Sequence, residues 1–261
     1  MVSNIKYFFR TKHNQIIPEI FNDYIFNEDF CFYSAELIED FYFQLCELDT
    51  SINFEDFGAI KNEKTKKIGS KKISEIAKKT STRFKEGIIF QKIIDYFNVK
   101  NILELGTSLG IGTMFLSSVN SCVSVTTIEA CKDIVEFTEQ NFKANEINNV
   151  KFINAGFDEV FDKNSLRGQK FDLFFIDGNH TFDATLKYLK YIEQNLVTDR
   201  FIIIFDDINW SKEMYNAWKY IVKTHKDCFM MNFFRSGFLF SNYKFPKGEF
   251  YVKSTDNNFN L

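Results

Sequence analysis

The sequence predicts a doubly wound α/β fold, and three observations carry the prediction. Short, continuous apolar runs recur between residues 101 and 205. Amphipathic helical patterns separate them, and a glycine-rich turn follows the first run. Strands that are apolar along their whole length belong to a parallel sheet covered by helices on both faces, because neither face then meets water.

The apolar runs are Asn101–Leu105, Val123–Ile128, Val150–Asn154, Phe171–Ile176 and Phe201–Phe205. Helical periodicity covers Lys85–Phe97, Lys132–Asn145, Phe182–Asn195 and Lys212–Thr224. The tail segments Asp227–Phe234 and Phe238–Asn242 flank Arg235-Ser236-Gly237 and read as an antiparallel hairpin. The expected architecture is therefore a mostly parallel seven-stranded sheet over residues 85–261, closed by that hairpin. Residues 1–84 form an extension rich in aromatic residues. In it, Ser34–Leu48 has the spacing of an amphipathic helix. Lys61–Lys79 carries eight lysines and reads as a solvated linker running into a helix, with an anion-binding patch as the alternative.

Composition bounds the function. The 261 residues are 45% hydrophobic, enough for a sizeable core, and include 33 Phe. A net charge of −3 argues against a nucleic-acid partner. No apolar run approaches the ~18 residues of a membrane-spanning helix. The opening MVSNIKYFFRTKHNQ lacks the apolar core and cleavage site of a signal peptide. Five cysteines, at 31, 46, 122, 131 and 228, form no CxxC pair and are odd in number. They read as free thiols in a reducing compartment, so a cytoplasmic location is expected.

Ligands of parallel α/β sheets sit at the carboxyl ends of strands. The first such end is Glu104-Leu105-Gly106-Thr107-Ser108-Leu109-Gly110-Ile111-Gly112. Its spacing is Gly-x-x-x-Gly-x-Gly, which differs from the dinucleotide pattern Gly-x-Gly-x-x-Gly. Glu104 would repel a pyrophosphate but can pair with an ammonium, which suits S-adenosylmethionine better than NAD. The second strand ends in Glu129, about twenty residues past the loop, where an acid can accept hydrogen bonds from both ribose hydroxyls. Glycines kept only for packing are the plainer alternative.

With this loop and acid, roughly residues 85–242 resemble the class I S-adenosylmethionine-dependent methyltransferases, whose fold is Rossmann-like. The resemblance implies that Glu104, Gly106, Thr107 and Gly110 line the methionine part of the cofactor. It implies that Glu129 holds the ribose and that Gly156 and Phe157 lie near the adenine. Two departures stand out: Gly156-Phe157-Asp158 replaces a common Gly-Asp-Ala, and Val197-Thr198-Asp199-Arg200 replaces a Pro-Gly-Gly turn.

The fourth strand ends in Asp177-Gly178-Asn179-His180 and the fifth in Asp206-Asp207. Three carboxylates at one sheet edge are costly without a cation or proton among them, and hard oxygen ligands suit Mg²⁺. Alternatively, these acids cap the following helices, or Asp177 bonds the cofactor. The pattern resembles the metal-dependent O-methyltransferases of catechol and macrolide-sugar type. That resemblance implies metal binding by Asp177, Asp206 and Asp207, and proton removal from the acceptor by His180. With a cation and three acids acting in opposite directions, the His180 pKa is expected to stay unshifted. The expected partner is a small-molecule or glycan acceptor, with a homo-oligomer arising if the apolar extension packs on a second copy. The rivals are a metal-free methyltransferase of nitrogen or carboxyl groups and a non-catalytic binding protein that keeps the fold.

Overall fold

A computed structural model describes residues 8–11, 18–27, 30–56 and 67–253. In chain order its elements are β1 (Phe8–Thr11), one π-helical turn (Phe21–Ile25), α1 (Tyr33–Glu47), β2 (Ser51–Asp56), β3 (Lys67–Lys72), α2 (Ile73–Thr80) and α3 (Phe84–Tyr96). Next come β4 (Asn101–Leu105), α4 (Ile111–Ser117), β5 (Ser124–Glu129), α5 (Lys132–Ala144), β6 (Val150–Asn154) and α6 (Phe157–Asp162). The last are β7 (Phe171–Ile176), α7 (Phe182–Asn195), β8 (Val197–Phe205), α8 (Lys212–Thr224), β9 (Phe229–Phe233), β10 (Ser236–Ser241) and β11 (Gly248–Lys253).

The main sheet runs β1-β11-β9-β10-β8-β7-β4-β5-β6. Strands β6, β5, β4, β7 and β8 are mutually parallel. The expected hairpin is present, and β10 lies antiparallel between β8 and β9. The seven expected strands, β4 to β10, are thus all there. Two more, β11 and β1, extend the edge beyond β9. Their sequences, FFRT and GEFYVK, mix polar with apolar residues and so give no continuous apolar run. β8 also begins four residues early. Val197–Arg200, expected as a turn, starts the strand, with Val197 opposite Phe171 across a register irregularity.

Alternation along β4 explains the two-sided core. Ile102 points to the face covered by the π-helical turn and α3, among Phe21, Phe90 and Ile93. Leu103 and Leu105 point to the face covered by α7 and α8, among Tyr188, Leu189 and Ile221. Phe174 and Phe175 of β7 divide the same way, each essentially without exposure. Full burial of one such side chain contributes about 1.5–3 kcal/mol, so this is where much of the phenylalanine stabilises the fold.

The N-terminal segment packs onto this sheet. Ile38 and Leu45 of α1 and Ile76 of α2 join Phe115 and Phe142 in a third cluster. The lysine-rich stretch is not a linker in its described part: Lys67–Lys72 pairs with β2, and α2 follows at once. Residues 57–66, which include Phe57, Gly58 and the first lysines, lie outside the described residues. All five cysteines are free. Among the described residues no helix is long and apolar enough to cross a membrane.

Candidate active site

The carboxyl ends of β4 to β8 open onto a cavity of about 390 Å³, within the range that holds a small molecule. Gly106, Glu129, Gly156, Phe157, Asp177 and His180 all line it.

The glycine loop is shaped by close approach. Gly106 has φ +105°, and a Cβ there would stand 1.9 Å from the Asp177 carbonyl oxygen. Gly110, also left-handed, begins α4; a Cβ on it would reach within 2.6 Å of the Phe142 ring. Gly110 therefore shapes the loop through packing rather than by facing the cavity. Thr107 is buried behind the loop, its hydroxyl 2.5 Å from that of Thr127. Between them Ser108 adopts φ +47°, and its backbone N–H donates to Glu129 Oε2 at 3.2 Å. Cys131 N donates to Glu129 Oε1 at 2.9 Å. Two backbone donors thus orient the Glu129 carboxylate and leave it further acceptor capacity. Burial nonetheless raises its pKa, against the pull of those N–H groups.

Glu104 lies deeper. It is 1% exposed, accepts a 2.5 Å hydrogen bond from the Thr113 hydroxyl, and lines a small recess with Gly106, Thr80 and Asp177. Burial pushes its pKa up to about 8, opposed by the bonds from Thr113 and Thr127. A buried carboxyl held so high is one that an incoming ammonium would return to its charged form. With the pre-oriented Glu129, the tight Gly106 turn and the Gly156–Phe157 wall, this donor set fits S-adenosylmethionine.

The second half of the site is built by the loops after β7 and β8. The helix-cap alternative for their acids does not hold. Thr181 caps α7 by accepting from Ala184 N, and Ser211 caps α8 by accepting from Met214 N. Asn179 and Asp207 instead take left-handed backbones, φ +49° and +54°, a strain common where loops serve ligands. His180 Nε2 lies 3.5 Å from Asp177 Oδ1. Burial pushes Asp177 up to about 6, with Asp206 adding and His180 and Arg235 opposing. The expectation for His180 is corrected: burial alone would lower its pKa, but Asp177, Asp207 and Asp206 outweigh it and the pKa is raised. The Trp210 ring stands 5.9 Å from the imidazole and is 64% exposed.

The three acids do not form the expected open metal site. Arg235 Nε and Nη2 donate to Asp206 Oδ1 and Oδ2 at 3.0 and 2.6 Å, a bidentate pair. Ser236 Oγ donates to Asp206 Oδ1 as well, at 3.3 Å. Arg235 Nε also lies 3.1 Å from Asp207 Oδ1. Asp206 is 3% exposed, so its oxygens are already satisfied by fixed donors. Among the described residues no group of three or more His, Cys, Asp or Glu side chains can hold a metal ion. Asp177, Asp206 and Asp207 in this arrangement do not fit Mg²⁺.

Sequence reasoning missed Arg235 as part of the site, and with it Lys79, Thr80, Ser108 and Tyr188 of the cavity wall. It also missed Glu86 of α3, which is 2% exposed, with Arg235 Nε 3.9 Å away. Ser108 lay within the glycine loop and Lys79 within the lysine-rich stretch, whereas the placement of Arg235 beside β8 depends on the strand order.

Residues 103–208 match the family of methyltransferase domains. Among solved structures, an O-methyltransferase of Bacillus cereus in complex with S-adenosylhomocysteine (SAH) superposes with a TM-score of 0.54 at 15% identity, covering 85% of this chain and 93% of that one. A SAH-bound methyltransferase of Podospora anserina gives 0.54 at 18% identity, covering 63% and 80%. TomG of Streptomyces achromogenes, an O-methyltransferase of tomaymycin synthesis in complex with S-adenosylmethionine, gives 0.52 at 14%, covering 62% and 80%. No curated protein matches the chain significantly. The matched methyltransferase domain lies on the sheet whose strand ends line the cavity, and the chain shares the α/β fold of these methyltransferases.

Proposed function

We propose that the chain transfers a methyl group to a hydroxyl oxygen of a small-molecule or glycan acceptor, with His180 as the base. The observation that carries this reading is the His180–Asp177 pair, 3.5 Å apart on the cavity wall. S-adenosylmethionine, when bound, supplies an electrophilic methyl on a sulfonium. Glu104 would hold its ammonium, Gly106 would let its backbone approach, and Glu129 would accept from the ribose hydroxyls. Gly156 and Phe157 would flank the adenine. Thr107 and Gly110 keep the loop in shape. Asp177 orients the imidazole through Nε2, so the other ring nitrogen is the one left to accept a proton. As the acceptor oxygen attacks, its proton passes to His180. Positioning supplies most of the remaining acceleration.

The Mg²⁺ assistance implied by the resemblance has no matching donor set here, so deprotonation falls to His180. That favours the metal-free form of the reaction. The cytoplasm is the proposed compartment, since five free thiols suit reducing conditions.

The test is a screen of sugars, catechol-like phenols and natural-product alcohols with isotopically labelled S-adenosylmethionine. Methyl ethers should form, and His180→Ala should lose transfer while keeping SAH affinity. Products methylated only on nitrogen or carboxyl groups would overturn the oxygen assignment.

A further inference from the structure

The cation of the acceptor site is already part of the chain. We propose that Arg235 occupies the position between Asp206 and Asp207 that a divalent ion would otherwise take, so that the site meets its acceptor oxygen through a guanidinium and excludes metal.

Backbone and side chain both fix this residue. Arg235 stands in the turn between β9 and β10, just after Phe234, which is left-handed at φ +53°. β10 is the antiparallel neighbour of β8, with Gly237 opposite Phe205. The register therefore sets the turn beside the β8 loop, and Ile208 N donates to the Arg235 carbonyl oxygen at 2.8 Å. The guanidinium then grips Asp206 at both oxygens and reaches Asp207. A planar fork matched to a carboxylate in this way is geometry that a lysine or a hydrated ion does not reproduce.

Charge accounting agrees. Asp206, Asp207 and Asp177 converge on one cavity edge, and like charges so placed need a counter-charge. Arg235 supplies it permanently, since a guanidinium is not deprotonated in proteins. For a divalent ion to enter, Asp206 would have to give up two charge-assisted bonds and the Ser236 hydroxyl, inside a loop that the Ile208–Arg235 backbone bond holds closed.

Arg235 also has something to offer a ligand. It lines the cavity, its side chain is 27% exposed, and among the described residues Nη1 has no partner. An N–H pair aimed at an oxygen that gains negative charge as it loses its proton does part of what a Lewis-acid ion does. In the step proposed above, the acceptor oxygen forms the new C–O bond and the methyl–sulfur bond breaks with its pair going to sulfur. The hydroxyl proton goes to His180, and Arg235 balances the oxygen's charge before the bond forms. The role at the acceptor rests on the proposed methyl transfer, whereas the exclusion of metal rests on the Arg235 geometry alone.

Mn²⁺ titration of the whole protein, read by electron paramagnetic resonance, tests this directly. Wild type should show no specific site up to about 1 mM Mn²⁺, the weak end of biological divalent-site affinities. Arg235→Gln should gain one Mn²⁺ site, binding at least about tenfold tighter than wild type, and Arg235→Gln/Asp206→Asn should lose it again. Arg235→Met serves if the glutamine variant does not fold, and should gain the same Mn²⁺ site; a folded Arg235→Met that gains none overturns the proposal equally. Binding of SAH, followed by calorimetry in the same samples, reports separately on the methyltransferase reading. A stoichiometric wild-type Mn²⁺ site overturns the proposal, and so does a folded, SAH-binding Arg235→Gln that gains none. Failure of wild type to bind SAH would sink the methyltransferase reading and leave the metal result standing.

Discussion

Gly106 and Asp177 meet backbone to backbone: any Cβ at residue 106 would lie 1.9 Å from the Asp177 carbonyl oxygen. Asp177 N in turn donates to Leu105 O at 2.9 Å. The glycine loop after β4 and the acid loop after β7 are thus one unit. The loop proposed to bind cofactor and the loop proposed to handle the proton share a single backbone junction.

Gly106→Ala should therefore fail twice. A left-handed backbone disfavours any residue with a Cβ by about 1–2 kcal/mol, and here the overlap is with main chain that cannot swing aside. The variant should lose at least ~2 kcal/mol in thermal unfolding and should not bind SAH. Gly156→Ala is the control. Its φ is −70° and a Cβ there meets nothing within 4 Å. It should melt within about 1–2 °C of wild type. Equal stability of the two variants would show that the junction does not constrain the loop.

Glu129→Ala should keep the fold and weaken SAH. The carboxylate is held by Ser108 N and Cys131 N and faces the cavity. Losing hydrogen bonds to a charged acceptor costs about 1.5–3 kcal/mol, which is roughly a ten- to hundredfold rise in the SAH Kd by calorimetry. The thermal shift given by saturating SAH should shrink in step. An unchanged Kd would remove Glu129 from the cofactor site.

The contrast between Glu129 and Arg235 shows what was legible. Glu129, Asp177 and His180 follow apolar runs directly, so strand-end logic finds them from local pattern. β4 and α7 match their expected spans because burial on both faces and an amphipathic stripe leave clear periodicities. Arg235 pairs with Asp206 across 29 residues, and only the insertion of β10 between β8 and β9 brings the two together. Strand order is a tertiary choice that no local period encodes. The metal expectation failed for the same reason: three acids were visible and their guanidinium was not. Glu86 was hidden differently, as one of three polar residues in FKEGIIFQKII, with Gln91 and Lys92, that packing buries.

His180 sets the expected pH dependence of turnover. As the proposed base, His180 would act as the neutral imidazole, and its neighbours raise its pKa above the ordinary ~6.5. Turnover should therefore rise with pH through an apparent value above ~6.5 that belongs to the His180–Asp177 pair. His180→Ala should lower kcat about 10²–10⁴-fold and abolish that limb, with SAH affinity near wild type. The measurement is kcat against pH with chemistry shown to be rate-limiting. A variant with wild-type kcat and an unchanged profile would mean that His180 is only a loop residue.

Glu86 makes a stability prediction whose sign follows from its burial. It is 2% exposed on α3, and burial pushes it up to about 8, with Asp206 adding and Arg235 and Arg83 opposing. In the unfolded chain its carboxyl titrates near the ordinary value of 4.5. Between those two values the folded protein keeps a proton that the unfolded chain has released. The group therefore costs nothing below pH 4.5 and destabilises the fold progressively as pH rises toward 8. Glu86→Gln keeps the shape and removes the titration. At pH 5 the two proteins should melt alike, because protonated Glu86 and Gln are both neutral and both keep an oxygen facing the Ser236 hydroxyl 3.4 Å away. By pH 8.5 the variant should be the more stable by about 4 kcal/mol, a gap of about 8–16 °C for a chain of this size. The raised Asp177 titrates in both proteins and cancels in the difference. The readout is Tm at half-unit pH steps in buffers of equal ionic strength. Parallel Tm curves for wild type and Glu86→Gln across pH 5–8.5 would show that Glu86 is ionised throughout, with Arg235 then balancing a fourth carboxylate.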